Sequence, residues 1–183
     1  MIPTLHTTRL VLDAFTPADA PVVELLASNY EVARHTLNIQ HPYPPGSGVK
    51  WIDTHAALFE RGEAVVFAIR LRGQDLIGAV GLRIERVHDR GELGYWIGQP
   101  YWGQGYATEA ARACLDFGFA HYALNKVTAN YVRANPASGR IMEKLGMKRE
   151  GEHPQHTKRD GVYHDNIIYG MLRGAAGASP EAG

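Results

Sequence analysis

Cysteine is nearly missing from this chain of 183 residues, and the single Cys114 leaves no partner for an intrachain disulfide. Long apolar runs are missing too, none approaching the roughly 18 to 20 residues that a membrane-spanning helix needs. Nor does a basic segment lead into a short apolar one, as in a secretory leader. A cytoplasmic protein with no membrane partner is therefore the expectation. Charge of one sign is also lacking, since 19 Lys and Arg balance 19 Asp and Glu. With no Lys/Arg run, a nucleic-acid partner is not expected, and a charged substrate has to be selected locally. There is no internal repeat, and the last residues, 174–183, have nothing large to bury and read as a disordered tail.

The remainder, 1–173, has the length of one ordinary domain with one substantial core. Arg9 to Phe15 alternates like a half-buried strand, and Thr16-Pro17 then supplies an N-cap and a proline at the first helical position of a helix reaching about Ser28. The Pro- and Gly-rich cluster from Pro42 to Gly46 ends an irregular stretch that starts at Asn29, and Ser47 caps a helix running to about Glu60. Two β-branched runs around a Gly-containing turn, AVVFAIRL and LIGAVGLRIE, read as a hairpin. RGELGYWIG and KVTANYV are further strands, on either side of a helix from about Ala107 to Tyr122 with Ala111, Cys114, Leu115 and Phe119 on its apolar face. A short helix from Ser138 to Leu145 stops at Gly146, and Met147–Glu152 and Asn166–Leu172 make the last strands. The hairpins require antiparallel pairs, whereas the strands flanking the Ala107 helix are parallel through a crossover. The fold class is α/β (α+β): a mixed, mostly antiparallel twisted sheet with helices on both faces and a central parallel pair.

The segment YWIGQPYWGQGYATEA, Tyr95 to Ala110, carries the first functional signal. An apolar strand runs into Gly103 and Gly105, which permit positive φ and a close approach of ligand to main chain. A helix then begins near Ala107, with Thr108 and Glu109 suited to its first turn. Four amide N–H groups at a helix start lack intrahelical partners, and the macrodipole adds roughly half a positive charge. Phosphate is the natural occupant. The plain alternative is a tight strand-to-helix turn.

The same segment resembles the acyl-CoA loop of the GCN5-related N-acetyltransferase (GNAT) superfamily, with Gly105 and Ala107 in the two small-residue positions. Trp102 stands where that pattern has Gln or Arg, and this aromatic, with GELGYWI before it, resembles the branch that includes the RimJ and RimL ribosomal-protein N-acetyltransferases. NPASGRIMEKLGM, Asn135 to Met147, and DNIIYGMLR, Asp165 to Arg173, extend the match to nearly the whole chain. The resemblance implies acetyl-CoA as cosubstrate and no metal. It places Tyr95, Trp96 and Ile97 along the thioester, and Trp102, Gly103, Gln104, Gly105, Tyr106, Ala107 and Thr108 on the cofactor. Asn135 and Ser138 match the cofactor-contacting pair of the short helix. It also implies neighbouring parallel strands that splay apart to admit the cofactor.

Such a reaction needs a neutral amine, an oxyanion donor and a proton for the leaving sulfur. A free α-amine has a pKa of about 8 and a lysine about 10.4, so a weak base or a water-mediated one suffices for the first. Glu92, on the strand before the loop, is the candidate base. On a partly buried strand desolvation raises a carboxyl pKa toward neutrality; the competing reading is a solvated residue paired with Arg83 or Arg90. A bulge in the Tyr95–Ile97 strand could free an N–H for the oxyanion. Many members carry a tyrosine acid where this chain has Met142, which donates no proton. Ser138 is the nearest substitute, with helix N-cap as its structural alternative. His153, His156 and His164 match no strong zinc spacing, and Cys114 reads as a core filler.

The expected activity is acetyl transfer from acetyl-CoA to a primary amine in a ternary complex. The acceptor is a small-molecule or peptide amine, a ribosomal-protein N-terminus among the candidates, recognised by Asn29–Trp51 and Lys158–Asp165. A homodimer is compatible with the sequence. A non-catalytic acyl-CoA-binding or sensing domain is the rival class. A nucleotide enzyme is disfavoured because the loop has neither the Gly-Lys-Ser/Thr ending nor a complete G-x-G-x-x-G.

Overall fold

The computed structural model describes residues 1–36, 38–73 and 75–175. The strands are β1 (Leu5–His6), β2 (Leu10–Asp13), β3 (Ala64–Leu71), β4 (Leu76–Glu85), β5 (Arg90–Ile97), β6 (Lys126–Val132), β7 (Lys148–Arg159) and β8 (Val162–Leu172). They form one sheet in the order β1-β2-β3-β4-β5-β6-β8-β7. Every pair is antiparallel except β5 and β6, which are parallel as the intervening helix requires. The helices are α1 (Ala20–Ala27), α2 (Tyr30–Arg34), α3 (Ser47–Glu60), α4 (Tyr106–His121) and α5 (Pro136–Lys144).

Alternation along the strands divides the core between the two faces of the sheet. Phe67, Ile69, Leu82, Leu93, Val127 and Ala129 point to the side of α4, where Ala110, Ala111, Cys114, Leu115 and Phe119 complete the larger cluster. Ala68 and Leu76 point to the other side, against Ala20, Val23 and Ile52, with Trp51 and Trp96 packed on them. Burial pushes the Cys114 thiol up, in keeping with its role as filler. Arg70 fastens the start of α1 to the sheet through Asp13 at 2.9 Å and Asp19 at 2.8 Å.

Several boundaries differ from the sequence expectation for local reasons. Thr16 and Asp19 form a capping box around the short 3₁₀ turn Pro17–Asp19 before α1 starts. Gly46, with φ +74°, caps α3 and Ser47 is its first helical residue. Asn135 caps α5, its Oδ1 accepting from the Ser138 N–H at 3.4 Å, so Ser138 sits inside the helix instead of capping it. β7 and β8 are far longer than expected, and Lys158–Asp165 belongs to this hairpin and not to an irregular loop. Arg173–Ala175 makes a further 3₁₀ turn. The rest of the expected tail lies outside the described residues.

Candidate functional site

The parallel ladder of β5 and β6 is short. It pairs Arg90 to Glu92 with Lys126 to Thr128 and then stops, although β5 runs on to Ile97 and β6 to Val132. The two strands part beyond Glu92 and Thr128, and a cavity of about 1280 Å³ occupies the gap and the space above it. That volume exceeds the roughly 300–1,000 Å³ of a site for one drug-sized ligand, leaving room for two substrates.

Both faces of the gap are built by strand alternation. The β4–β5 register runs without a shift from Glu85↔Arg90 to Gly78↔Ile97, so the bulge anticipated at Tyr95–Ile97 is not found. The Gly98 N–H donates to the Ile77 carbonyl at 2.8 Å, and alternate residues of an antiparallel pair turn their polar groups to opposite sides. The main-chain groups of Tyr95 and Ile97 therefore face away from β4, into the gap. Loss of the ladder, and not a bulge, frees the Tyr95 N–H. The Ile97 carbonyl accepts the Trp102 indole N–H at 2.6 Å, which ties the loop back to the strand.

The loop has the conformation its glycines allow. Gly103 has φ +76° and Gly105 φ +81°, and Gly105 caps α4 at its N-terminus. Tyr106, Ala107 and Thr108 form the first turn and line the cavity together with Gly103 and Gly105, while Gln104 does not. Its carbonyl is instead held by the Arg9 guanidinium at 2.9 Å. Arg9 also stacks over the Tyr106 ring and binds Glu109 through its Nε and its backbone N–H. Burial opposes the charge of Glu109, but bonds from Thr7 and Arg9 outweigh it and hold the carboxyl below its ordinary value. Glu109 is thus a brace for the loop, and Arg9, a hundred residues earlier, went unnoticed in the sequence because nothing local marks it.

Across the gap, the Tyr95 hydroxyl lies 2.8 Å from Ser138 Oγ and 3.2 Å from the Ser138 carbonyl. Burial raises the Tyr95 pKa to about 12, the Ser138 bond only partly offsetting it, so the phenol stays protonated at neutral pH. Met142, one helical turn beyond Ser138 on α5, is buried in the core. Asn135 has both amide groups engaged, its Nδ2 donating to the His35 carbonyl at 3.3 Å.

Glu92 stands on the opposite side of the sheet from Tyr95, on the floor shared with Trp96. It is exposed to the cavity, so the partly buried setting expected for it is not what is found. No pairing with Arg83 or Arg90 occurs either; Arg90 binds Glu85. Glu92 instead terminates a row of amide and hydroxyl groups. Thr157 Oγ1 donates to Asn166 Oδ1 at 3.0 Å, Asn166 Nδ2 to Asn130 Oδ1 at 2.9 Å, and Asn130 Nδ2 to Glu92 Oε1 at 2.7 Å. Asn166 is only 1% exposed, so its polar atoms need these partners. Each donor points toward Glu92, an arrangement that fixes one carboxylate oxygen and leaves the other free.

Described residues between Val32 and Pro44, His35 and Tyr43 among them, line the cavity. Asn29 caps α2 and its Nδ2 also donates to Gln99 Oε1 at 2.7 Å, while Arg159 donates to the Ala33 carbonyl. His35 faces the cavity beside Trp102, with ring centroids 6.2 Å apart. Its Nε2 accepts from Arg34 at 3.2 Å, which leaves the proton on Nδ1, and Nδ1 is buried with no partner among the described residues. Desolvation, assisted by Arg34, lowers the His35 pKa and keeps the ring neutral. His153 and His156 lie with rings 4.9 Å apart, but no group of three or more potential metal ligands gathers among the described residues. No helix among them is long and apolar enough to cross a membrane.

Residues 9–148 match the profile of the acetyltransferase (GNAT) domain. The chain is 30% identical over 175 residues to the uncharacterized N-acetyltransferase YoaA of Bacillus subtilis (strain 168), covering 94% of this chain and 98% of that protein. It is 27% identical over 158 residues to the ribosomal-protein-serine acetyltransferase of Escherichia coli (strain K12), covering 83% and 86%. Among solved structures, RimL, the ribosomal L7/L12 alpha-N-protein acetyltransferase in complex with coenzyme A, superposes with a TM-score of 0.82 at 20% identity over 93% of this chain and 98% of that one. The profile spans β5, the loop, α4, β6 and α5 and stops at the start of β7, while YoaA aligns along almost the full length. The chain belongs to the acetyltransferase (GNAT) domain family, as an N-acetyltransferase, and its relatives include a ribosomal-protein acetyltransferase.

Proposed function

We propose that the protein transfers an acetyl group from acetyl-CoA directly to a primary amine, a peptide N-terminus or a small-molecule amine, in a ternary complex in the cytoplasm. The parting of β5 and β6 beyond Glu92 and Thr128 carries this reading, because it opens one cavity to the glycine loop, the Tyr95–Ser138 pair and Glu92 together.

In this reading the amides at the start of α4, with Gly103 and Gly105 at positive φ, hold the coenzyme's pyrophosphate. Trp102 and Asn135 flank the arm that leads inward. The Tyr95 N–H faces the developing oxyanion, a contact stronger in the transition state than in the ground state. Glu92 takes the amine's proton, directly or through water, and Asn130 and Asn166 keep its carboxylate oriented. Ser138, bonded to the protonated Tyr95 hydroxyl, returns a proton to the departing thiolate, the task that Met142 cannot perform. Relatives named as N-acetyltransferases favour this reading over a non-catalytic acyl-CoA sensor.

The direct test incubates the protein with acetyl-CoA and alanine-terminated peptides, and follows both thiol release and the mass of the peptide. Equal release of thiol and gain of acetyl supports transfer. Tight coenzyme binding with no acetylated product from these peptides or from a panel of small-molecule amines would favour the sensor.

A further inference from the structure

We infer that the acceptor is an amine carrying an anionic group close to its nitrogen, a carboxylate or phosphate, and that Arg83 selects it. This inference rests on the acetyl-transfer reading and names the chemistry of its second substrate.

The observation is the charge of the cavity. Glu92 is the one carboxylate among the described residues that line it, against Arg83, Arg140, Lys144 and Lys158. Arg140 and Lys144 belong to α5, on the Ser138 side. Arg83 borders the floor that holds Glu92, whereas Lys158, next to Thr157 on β7 and paired with Tyr163, turns to the opposite face. Arg83 is the register partner of Glu92 across β4 and β5, and directly opposed residues keep their Cβ atoms about 4.5–5.5 Å apart on one face. Its other register partner is Ala64, whose methyl cannot cover the guanidinium. Among the described residues Arg83 makes no ion pair and no side-chain hydrogen bond, in contrast to Arg9, Arg70 and Arg90, each held by a carboxylate. Lys158 is instead engaged over the Tyr163 ring, at 5.2 Å from its centroid.

A polyamine is the wrong complement for this floor. Its several ammonium groups would meet one carboxylate, already engaged by Asn130, and a free guanidinium beside it. An amine with a neighbouring carboxylate or phosphate meets both charges in order: the nitrogen at Glu92, the anion on the planar donor fork of Arg83. The guanidinium also disfavours the ammonium form of the bound amine, and so assists its deprotonation.

The test compares matched acceptors with acetyl-CoA: the tripeptide amides Ala-Asp-Ala, Ala-Asn-Ala and Ala-Lys-Ala, then O-phosphoethanolamine against ethanolamine, and spermidine. The expected order of kcat/KM is Asp, then Asn, then Lys, with the aspartyl peptide ahead of the asparaginyl one by about tenfold, the size of one charge-assisted hydrogen bond. If the phosphoethanolamine pair shows the larger preference, the source is a small molecule; if the peptides do, a protein N-terminus. In Arg83→Gln the aspartyl-to-asparaginyl ratio falls to about one, with the melting temperature retained because Arg83 is exposed. Equal rates across the series, a preference for spermidine, or an unchanged ratio in R83Q would overturn the inference while leaving acetyl transfer intact. A loss in R83Q confined to KM for acetyl-CoA would reassign Arg83 to the coenzyme and overturn it as well. Absence of acetylation with every acceptor would instead remove the reading on which it rests.

Discussion

Replacing His55 by leucine removes a pH-dependent loss of stability that the structure imposes on the wild type. His55 is 4% exposed, wedged between Trp51 at 4.5 Å and Phe15 at 5.3 Å between ring centroids, with neither ring nitrogen hydrogen-bonded among the described residues. Desolvation lowers its pKa from 6.5 to about 4. In the unfolded chain the same ring titrates near 6.5. Between these values the unfolded state binds a proton that the folded state refuses, so stability is full above about pH 6.5 and declines as pH falls toward 4. Integrating from pH 7.5 to pH 5 gives a loss of about 2 kcal/mol for this one group. Urea titrations of both proteins at the two pH values measure it, because the other histidines are common to both and cancel in the difference. With a urea slope of about 2 kcal/mol/M for a chain of this size, the wild-type midpoint drops by about 1 M more than that of His55→Leu. At pH 7.5 leucine costs little, since it removes two buried nitrogens without partners. Parallel shifts in the two proteins would refute the argument, by showing that His55 gains a proton in the folded state at no extra cost.

Gly105→Glu puts a side chain at φ +81° and a carboxylate where an anion is to bind; coenzyme A affinity by calorimetry falls by about a hundredfold or more, whereas Gly105→Ala costs about 1 kcal/mol of stability and less affinity. Unchanged affinity in the glutamate variant would remove the phosphate-loop reading. Glu92→Gln retains coenzyme affinity, lowers turnover by about a hundredfold and abolishes the acidic limb of the pH–rate profile; a surviving limb assigns the base elsewhere. Tyr95→Phe and Ser138→Ala each lower kcat by about tenfold, and the double variant is no worse than either single one, because the two hydroxyls act through one 2.8 Å bond. Additive losses would show that they act separately.

The parts of the fold legible in the sequence are those whose signal is local. KVTANYV contains its own alternation and became β6, Lys126–Val132, without a change of boundary. The β3–β4 hairpin and α4 likewise carry turn residues and an apolar face within a single window. The β7 segment KREGEHPQHTKR offers no such face. It is a strand because β8 pairs with both of its ends, Lys148–His153 and Thr157–Arg159, across two irregularities, and a strand on the open edge of a sheet needs no buried stripe of its own. That is why the segment beside it read as a loop.

The same distinction governs the site. Gly103 and Gly105 announced a backbone conformation by residue type alone, and both have it. Glu92, by contrast, was picked out by its place on a strand, but what holds it is assembled from β5, β6, β8 and β7 in that order across the sheet. Asn130, Asn166 and Thr157 have no mutual periodicity in sequence, since the register that lines them up is set by an antiparallel pairing around a crossover. The row also explains how the gap is tolerated. Where β5 and β6 cease to pair, main-chain hydrogen bonds no longer join the two halves of the sheet, and Asn130 to Glu92 is a side-chain bond that still crosses there. The opening that admits the substrates and the bond that orients the carboxylate are therefore two consequences of one interruption in the ladder. A substitution that closed the gap by extending β5–β6 pairing would stiffen the sheet and remove the free Tyr95 N–H in the same step.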